Sequence, residues 1–212
     1  MSFWLYALSP PVASSLVIIC SVVSQLQTLP MIWRAIDWRR VLPFVLPGVL
    51  GVPIGTLLLA AIDARLFKIG VGVFLVAYAS YALLRKPRSS GVAGGRVADG
   101  AAGFGGGVLG GLAGLSGPLV IVWTDFRGDA KHDRRSVLQT FNLSILTAAL
   151  LSHAGSGLLT REVGAATLAA LPGTICGAWL GARLYKRLGD RGFQRIVLAL
   201  LCLSGLVLIG TS

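Results

Sequence analysis

Residues 101–123 read AAGFGGGVLGGLAGLSGPLVIVW, and the fold turns on how this stretch is understood. It is apolar enough to enter a membrane, yet glycine stands at 103, 105, 106, 107, 110, 111, 114 and 117, and Pro118 follows. In a helix interior each glycine costs about 1 kcal/mol relative to alanine, and proline removes a backbone donor. A plain spanning helix gains nothing from either. The segment is therefore expected to break, and inside a bilayer broken backbone persists only where protein or a water-filled cavity satisfies its polar groups. Half-helices of this kind turn free N–H groups and a positive dipole end toward an anion. The same letters carry a second meaning, because Gly107 and Gly111 form a GxxxG pattern that lets helices pack closely.

Composition fixes the class around this stretch. With mean hydropathy +0.79, 55% hydrophobic and 13% charged residues, the 212-residue chain is expected to be an all-α polytopic membrane protein. A net charge of +11 would suggest nucleic acid in a soluble chain. Here the Lys and Arg residues sit in short gaps between apolar runs, so they read as topology determinants beside the lipid bilayer, and no nucleic-acid partner is expected. Cys20, Cys176 and Cys202 lie in apolar segments without CxxC or Cys/His spacing, so no disulfide framework, metal site or cofactor is expected. No charged leader precedes a cleavage site, and the first apolar run is expected to remain as a span of a multi-pass protein of the cell inner membrane.

Six spans are expected, at 11–33, 41–62, 66–84, 135–154, 163–184 and 194–211, each near the length that crosses ~30 Å of hydrocarbon. With the broken element at 101–123 they give six to seven transmembrane helices. The polar, basic stretch Arg85 to Asp99 divides the chain, so that residues 1–84 form a first repeat, 85–100 a linker and 101–212 a second repeat. The halves resemble each other. Leu46-Pro47-Gly48 precedes Gly51 and Gly55, while Leu171-Pro172-Gly173 precedes Gly177 and Gly181, and Asp37 and Glu162 stand at matching distances ahead. The offset places any first-half copy of the glycine-rich element before Met1. Charge then selects its topology. If the element enters and leaves on one side, Arg65, Lys68 and Arg161 lie on one face and the other sixteen of the nineteen Lys and Arg residues lie opposite, a positive-inside pattern. The repeats are then inverted, as in many secondary transporters.

The residues GFGGGVLGGLAGLSGP at 103–118, the later LPGTICGAWLGARLYKRL at 171–188, and SPPVASSL and AIDWRRVLPFVLPG in the first half together resemble the TauE/SafE family of sulfite exporters and related sulfur-compound permeases. The resemblance covers nearly the whole chain. It implies export of small sulfur-containing anions, sulfite or organosulfonate-like, and a glycine-rich element in each half where this chain shows one. A half-complete site, a site completed by another protomer of a homo-oligomer, and a longer natural start all remain open.

A small, hydrated anionic substrate needs many donors. Backbone amides at Gly105, Gly106 and Gly107 are expected to supply some, with Ser116, Gly117 and Pro118 at the start of the second half-helix, where serine caps and proline suits the first turn. Gln139 and Asn142, three apart on one helical face, and the stripe Ser21, Ser24, Gln25, Thr28 are expected to face them. Interhelical hydrogen bonding is the alternative role for both groups. No Asp, Glu, Lys or Arg falls mid-span, which points to flux driven by the membrane potential, worth about 2.3 kcal/mol per charge at roughly 100 mV. His153, near a span end, reads as an interfacial residue or a coupling group, and His132 as a solvated loop residue. Two other classes compete. Gly114-Leu115-Ser116-Gly117 has the GxSG form, and with His153 as base it would make a rhomboid-like intramembrane serine protease. A non-transporting membrane subunit is the third.

Overall fold

The computed structural model describes residues 4–32, 37–84, 95–128 and 131–210. They form α1 (Trp4–Ala7), α2 (Pro10–Ile32), α3 (Trp38–Ala61), α4 (Ala64–Leu84), α5 (Arg96–Ala113), α6 (Gly117–Arg127), α7 (Lys131–Gly155) and α8 (Arg161–Gly210). Fifty residues of unbroken helix would reach ~75 Å, more than twice a bilayer core. Gly189, at φ 66° and ψ 178°, breaks α8 into arms that match the two last expected spans. Counting those arms, six helices are long and apolar enough to cross a membrane: Pro10–Gln27, Trp38–Ala61, Ala64–Leu84, Ser136–Gly155, Arg161–Tyr185 and Gly192–Gly210. The protein is an all-α, multi-pass membrane protein. Most of the linker, Trp33, and the side chains of Thr28 and His132 fall outside the described residues.

The glycine-rich stretch is a helical hairpin. α5 runs unbroken through Gly111 and stops at Gly114, whose left-handed φ of 67° suits a residue without Cβ and whose N–H turns back to Gly110 and Leu109. α6 starts two residues later with Pro118 in its first turn. The two helices then lie antiparallel: Gly110 is beside Ser116, Gly105 beside Leu119, and Asp99 meets Trp123 and Arg127 at the open end. Both ends of the element therefore sit at one end of the bundle.

Glycine decides what the hairpin packs on. α5 runs parallel to α3 at a separation that leaves no room for side chains. A Cβ on Gly103, Gly107 or Gly111 would lie 2.2, 1.9 or 2.3 Å from the carbonyl oxygens of Phe44, Gly48 and Val52. The GxxxG pattern is thus a packing face, extended by one turn to Gly103. From the other side Gly51 and Gly55 admit the backbone of Phe104 and Val108. Phe141 and Ile145 of α7 close the same core beside Phe44, with α7 parallel to α3 and α5. α4 packs antiparallel on the second arm of α8 through Gly72 and Gly205.

These directions bring the starts of α3, α5 and α7 to one end, with Arg39, Arg40, Arg96 and Arg134, and the start of α4, with Arg65, to the other. The helix starts are capped where the sequence offers oxygen. Asp37 accepts from Arg39 N at 3.0 Å and Asp63 from Arg65 N at 2.8 Å. At α8 the acceptor is Thr160, from Val163 N, and Glu162 lies in the first turn. The outer faces of α3 and α8 expose Leu46, Leu50, Leu57, Leu168, Leu180 and Leu203, a surface suited to lipid.

Candidate functional site

The break between α5 and α6 is held by α7. Ser116 occupies the N-cap position of α6 but makes no capping bond, because its backbone is helical and its hydroxyl donates instead to Asn142 Oδ1 at 2.9 Å. The capping role expected of Ser116 is therefore replaced by a tie to α7. Gly117 lies against the same carboxamide, where a Cβ would come within 3.3 Å of it. Pro118 sits in the first turn as expected, where no N–H is needed. Gly105, Gly106 and Gly107 differ from expectation. They fall inside α5, so their amides are engaged in the helix's own turns and offer no free donors. Their contribution is close approach: Gly105 to Leu119, Gly106 to Ser116 and Phe141, and Gly107 to Gly48.

A cavity of about 770 Å³ opens between α2, α7 and the first arm of α8. Its polar lining is Ser21, Ser24, Gln25, Gln139 and Thr174, and its apolar wall includes Trp4, Leu16 and Val17. Three of the residues expected to bind substrate, Ser24, Gln25 and Gln139, are thus brought together from two helices distant in sequence. No charged residue lines it among the described residues. Gln139 Oε1 is buried with no hydrogen-bond partner among the described residues, an unmet acceptor beside empty volume. Ser116, Gly117 and Asn142 are not in the lining, but Gly114 packs on Val17 and Ile18, so the hairpin tip abuts the cavity wall.

Helix α5 ends inside the protein, and its last carbonyls need donors. They receive them from three directions. Leu115 and Gly114 N–H groups return to Leu109 and Gly110. Ser14 Oγ donates to Leu112 O at 2.9 Å. His153 Nε2 donates to Gly111 O at 2.8 Å, while Ser15 Oγ lies 2.9 Å from His153 Nδ1. His153 is fully buried, which corrects its assignment to the interface. The same bonds remove the protease alternative. Both ring nitrogens are engaged with Ser15 and Gly111, and Ser116 is bound to Asn142, so no Ser116–His153 dyad is formed.

At the open end of the hairpin, Arg127 Nη1 bonds both carboxylate oxygens of Asp99 at 2.8 Å, and Trp123 Nε1 donates to Asp99 Oδ1 at 2.6 Å. Asp99 is 6% exposed, and the guanidinium lies 5.9 Å from the Phe44 ring centroid. Trp123 thus closes this clasp. Asp99 closes the stretch that reads as a linker, and Arg127 stands just beyond the glycine-rich element. The available signal was an acid and a base flanking the element whose two ends charge counting had put on one side.

No curated protein and no solved structure matches the chain. Residues 1–208 match the family described as Sulfite exporter TauE/SafE. That match spans nearly the whole chain. The chain belongs to the TauE/SafE sulfite exporter family, membrane transporters of sulfur compounds and not enzymes.

Proposed function

We propose that this permease exports small sulfur-containing anions, sulfite or organosulfonate-like, across the cell inner membrane through the cavity between α2, α7 and α8. The observation that carries the proposal is a cavity that gathers five polar side chains, Gln139 among them, from three helices and is lined by no charged one among the described residues. Amide and hydroxyl donors of Gln25, Gln139, Ser21 and Ser24 can replace the water of an anion, and the absence of a fixed cation lets the anion leave again. Asn142 retains N–H donors after accepting from Ser116, and the N-terminus of α6 at Gly117 and Pro118 adds a positive dipole end beside it. Gly105, Gly106 and Gly107 serve this site by bringing the hairpin close enough to present its tip. The cavity lies between a first half, residues 1–84, and a second, residues 101–212, which we read as inverted repeats joined by a basic linker at 85–100. A homo-oligomer fits the same reading.

The test is saturable anion efflux from proteoliposomes holding the purified chain, with sulfite, thiosulfate and sulfoacetate as probes. Gly173 lines the cavity, and no described atom lies within 4 Å of where its Cβ would be. Gly173→Leu should therefore fill the cavity without disturbing the fold, cutting efflux at least about tenfold at an unchanged unfolding temperature. Gln139→Leu and Ser116→Ala should reduce efflux as well, with Ser116→Ala costing about 1 kcal/mol of stability. Full activity in Gly173→Leu would remove the cavity from the pathway.

A further inference from the structure

We infer that His153 is a proton-binding group through which anion flux responds to a proton gradient, with Ser15 as its hydrogen-bond partner in both protonation states; the inference rests on the transport reading above. A carbonyl can only accept, so the bond to Gly111 O puts a hydrogen on Nε2. In the neutral ring Nδ1 then accepts from the Ser15 hydroxyl. A histidine needed merely to satisfy Gly111 would do so with its second nitrogen against solvent or a backbone donor. Here that nitrogen faces a hydroxyl, a neutral group able to switch from donor to acceptor by rotating in place. When a proton from hydronium bonds to Nδ1, water is released, the ring becomes imidazolium, and Ser15 Oγ turns to accept. Neither hydrogen bond of His153 is lost in either state.

Among the described residues, no charged side chain lies beside His153. α2 carries no charged residue, and the charged residues of α3, α5, α6 and α7 (Arg39, Arg40, Arg96, Asp99, Asp125, Arg127 and those at Lys131–Arg135) lie at the opposite end of the bundle. The groups near His153 from packed elements are the hydroxyls of Ser14 and Ser15 on α2 and the Ser152–Thr56 pair on α7 and α3, all uncharged. Charged groups at the same end, Asp63, Arg65, Lys68, Arg161 and Glu162, stand at the starts of α4 and α8, and all but the half-buried Lys68 are exposed. Ser15 and His153 are not in the lining, but Ser15 directly precedes Leu16 and Val17, which are, so the charge gained by His153 arises behind the wall of α2 that borders the space proposed for the anion. Proton and anion therefore bind together and leave together, so that export runs down the anion's own outward gradient and an acid exterior opposes or reverses it.

The test uses the full chain in proteoliposomes with the membrane potential clamped at zero by potassium and valinomycin, and with thiosulfate and methanesulfonate as probes, because their own charge is fixed near neutral pH. Wild type should exchange labelled for unlabelled anion at symmetric pH, and with acid outside should accumulate it toward roughly tenfold per pH unit, the limit of one-to-one coupling. His153→Gln keeps a donor for Gly111 and should retain exchange while accumulation falls to onefold. Accumulation by His153→Gln equal to wild type, or none by wild type despite exchange, overturns the inference and leaves the transport reading intact. Absence of exchange by wild type with every probe overturns the transport reading and this inference with it. If His153→Gln also loses exchange, Ser15→Ala decides: a displaced pH profile of accumulation supports the assignment, and an unchanged profile refutes it.

Discussion

Helix α3 and the first arm of α8 carry the same pattern, a Leu-Pro-Gly followed by two glycines four apart, yet they meet opposite surroundings. On α3 a Cβ at Gly48, Gly51 or Gly55 would come within 2.7, 2.5 or 2.1 Å of Ile145 Cδ1, Phe104 O or Val108 O. On α8, Gly173, Gly177 and Gly181 have no described atom within 4 Å of the same position. The glycine-rich hairpin lies on one pattern and not on the other. What differs is therefore the partner and not the helix. A Pro-Gly run in a spanning helix states that another backbone is able to approach, while the presence of that backbone is decided elsewhere in the chain. On α8 the uncovered glycine spacing borders the cavity at Gly173, so there the pattern leaves volume where α3 leaves none.

The comparison breaks most severely at Gly107. Its Cβ would lie 1.9 Å from Gly48 O, a backbone atom that moves only if α3 and α5 part along their shared length. Gly107→Ala should cost about 3 kcal/mol or more, beyond anything alanine returns in helix propensity, because overpacking against backbone finds no rotamer to escape into. Thermal unfolding in detergent should drop by many degrees, and anion efflux should vanish with it. An unfolding temperature equal to wild type would mean that α3 and α5 are not in contact through this face.

A smaller effect is expected at the hairpin's open end, where the clasp rather than the glycine face holds the element down. Asp99→Asn leaves Arg127 facing a neutral group in a largely buried place, and removing one partner of a buried pair costs roughly 3 kcal/mol, somewhat less here because the Arg127 side chain is 22% exposed. Replacing both, as Asp99→Leu with Arg127→Met, should recover most of the loss, since two apolar side chains need no counter-charge. Unfolding temperatures of the single and double variants check this. Equal loss in both would show that the pair's geometry, and not its charge balance, sets the hairpin.

Much of this arrangement was legible in the sequence, and the limits have a common cause. Hydropathy and span length gave the six crossings, because burial in lipid is a property of each segment alone. The hairpin was legible through Arg and Lys placement, since topology is written in the gaps. Gly107 and Gly111 were legible as a packing pair, but the helix they meet was not: 103, 107 and 111 face α3 while 106 and 110 face Ser116, Phe141 and Ile145, and periodicity names faces without naming neighbours. Ser24, Gln25 and Gln139 were found as polar positions in apolar helices, and their meeting at one cavity follows from the antiparallel course of α2 and α7. His153 misled because it lies two residues before Gly155, the last of α7, a position that usually reaches the interface. Here α2 and the end of α5 cover that last turn, and no local pattern announces a cover supplied by residues more than forty positions away.

The mildest test sharpens the comparison by asking whether the open face of α8 is open in the membrane. Gly51 stands four residues after its proline and Gly177 five, each the first of two glycines four apart, so Gly51→Ala and Gly177→Ala add one methyl to corresponding turns of α3 and α8. At Gly51 the methyl meets Phe104 O at 2.5 Å and Val108 N at 3.0 Å, both backbone. At Gly177 it meets nothing within 4 Å among the described residues, so the helix should gain up to about 1 kcal/mol from the loss of a flexible glycine. The expected result is a lower unfolding temperature for Gly51→Ala and an equal or slightly higher one for Gly177→Ala, with wild-type efflux in the second. Destabilisation by Gly177→Ala would mean that a second backbone covers α8 in the working protein, and cross-linking from a cysteine placed at 181 would then show whether that backbone belongs to another copy of the chain.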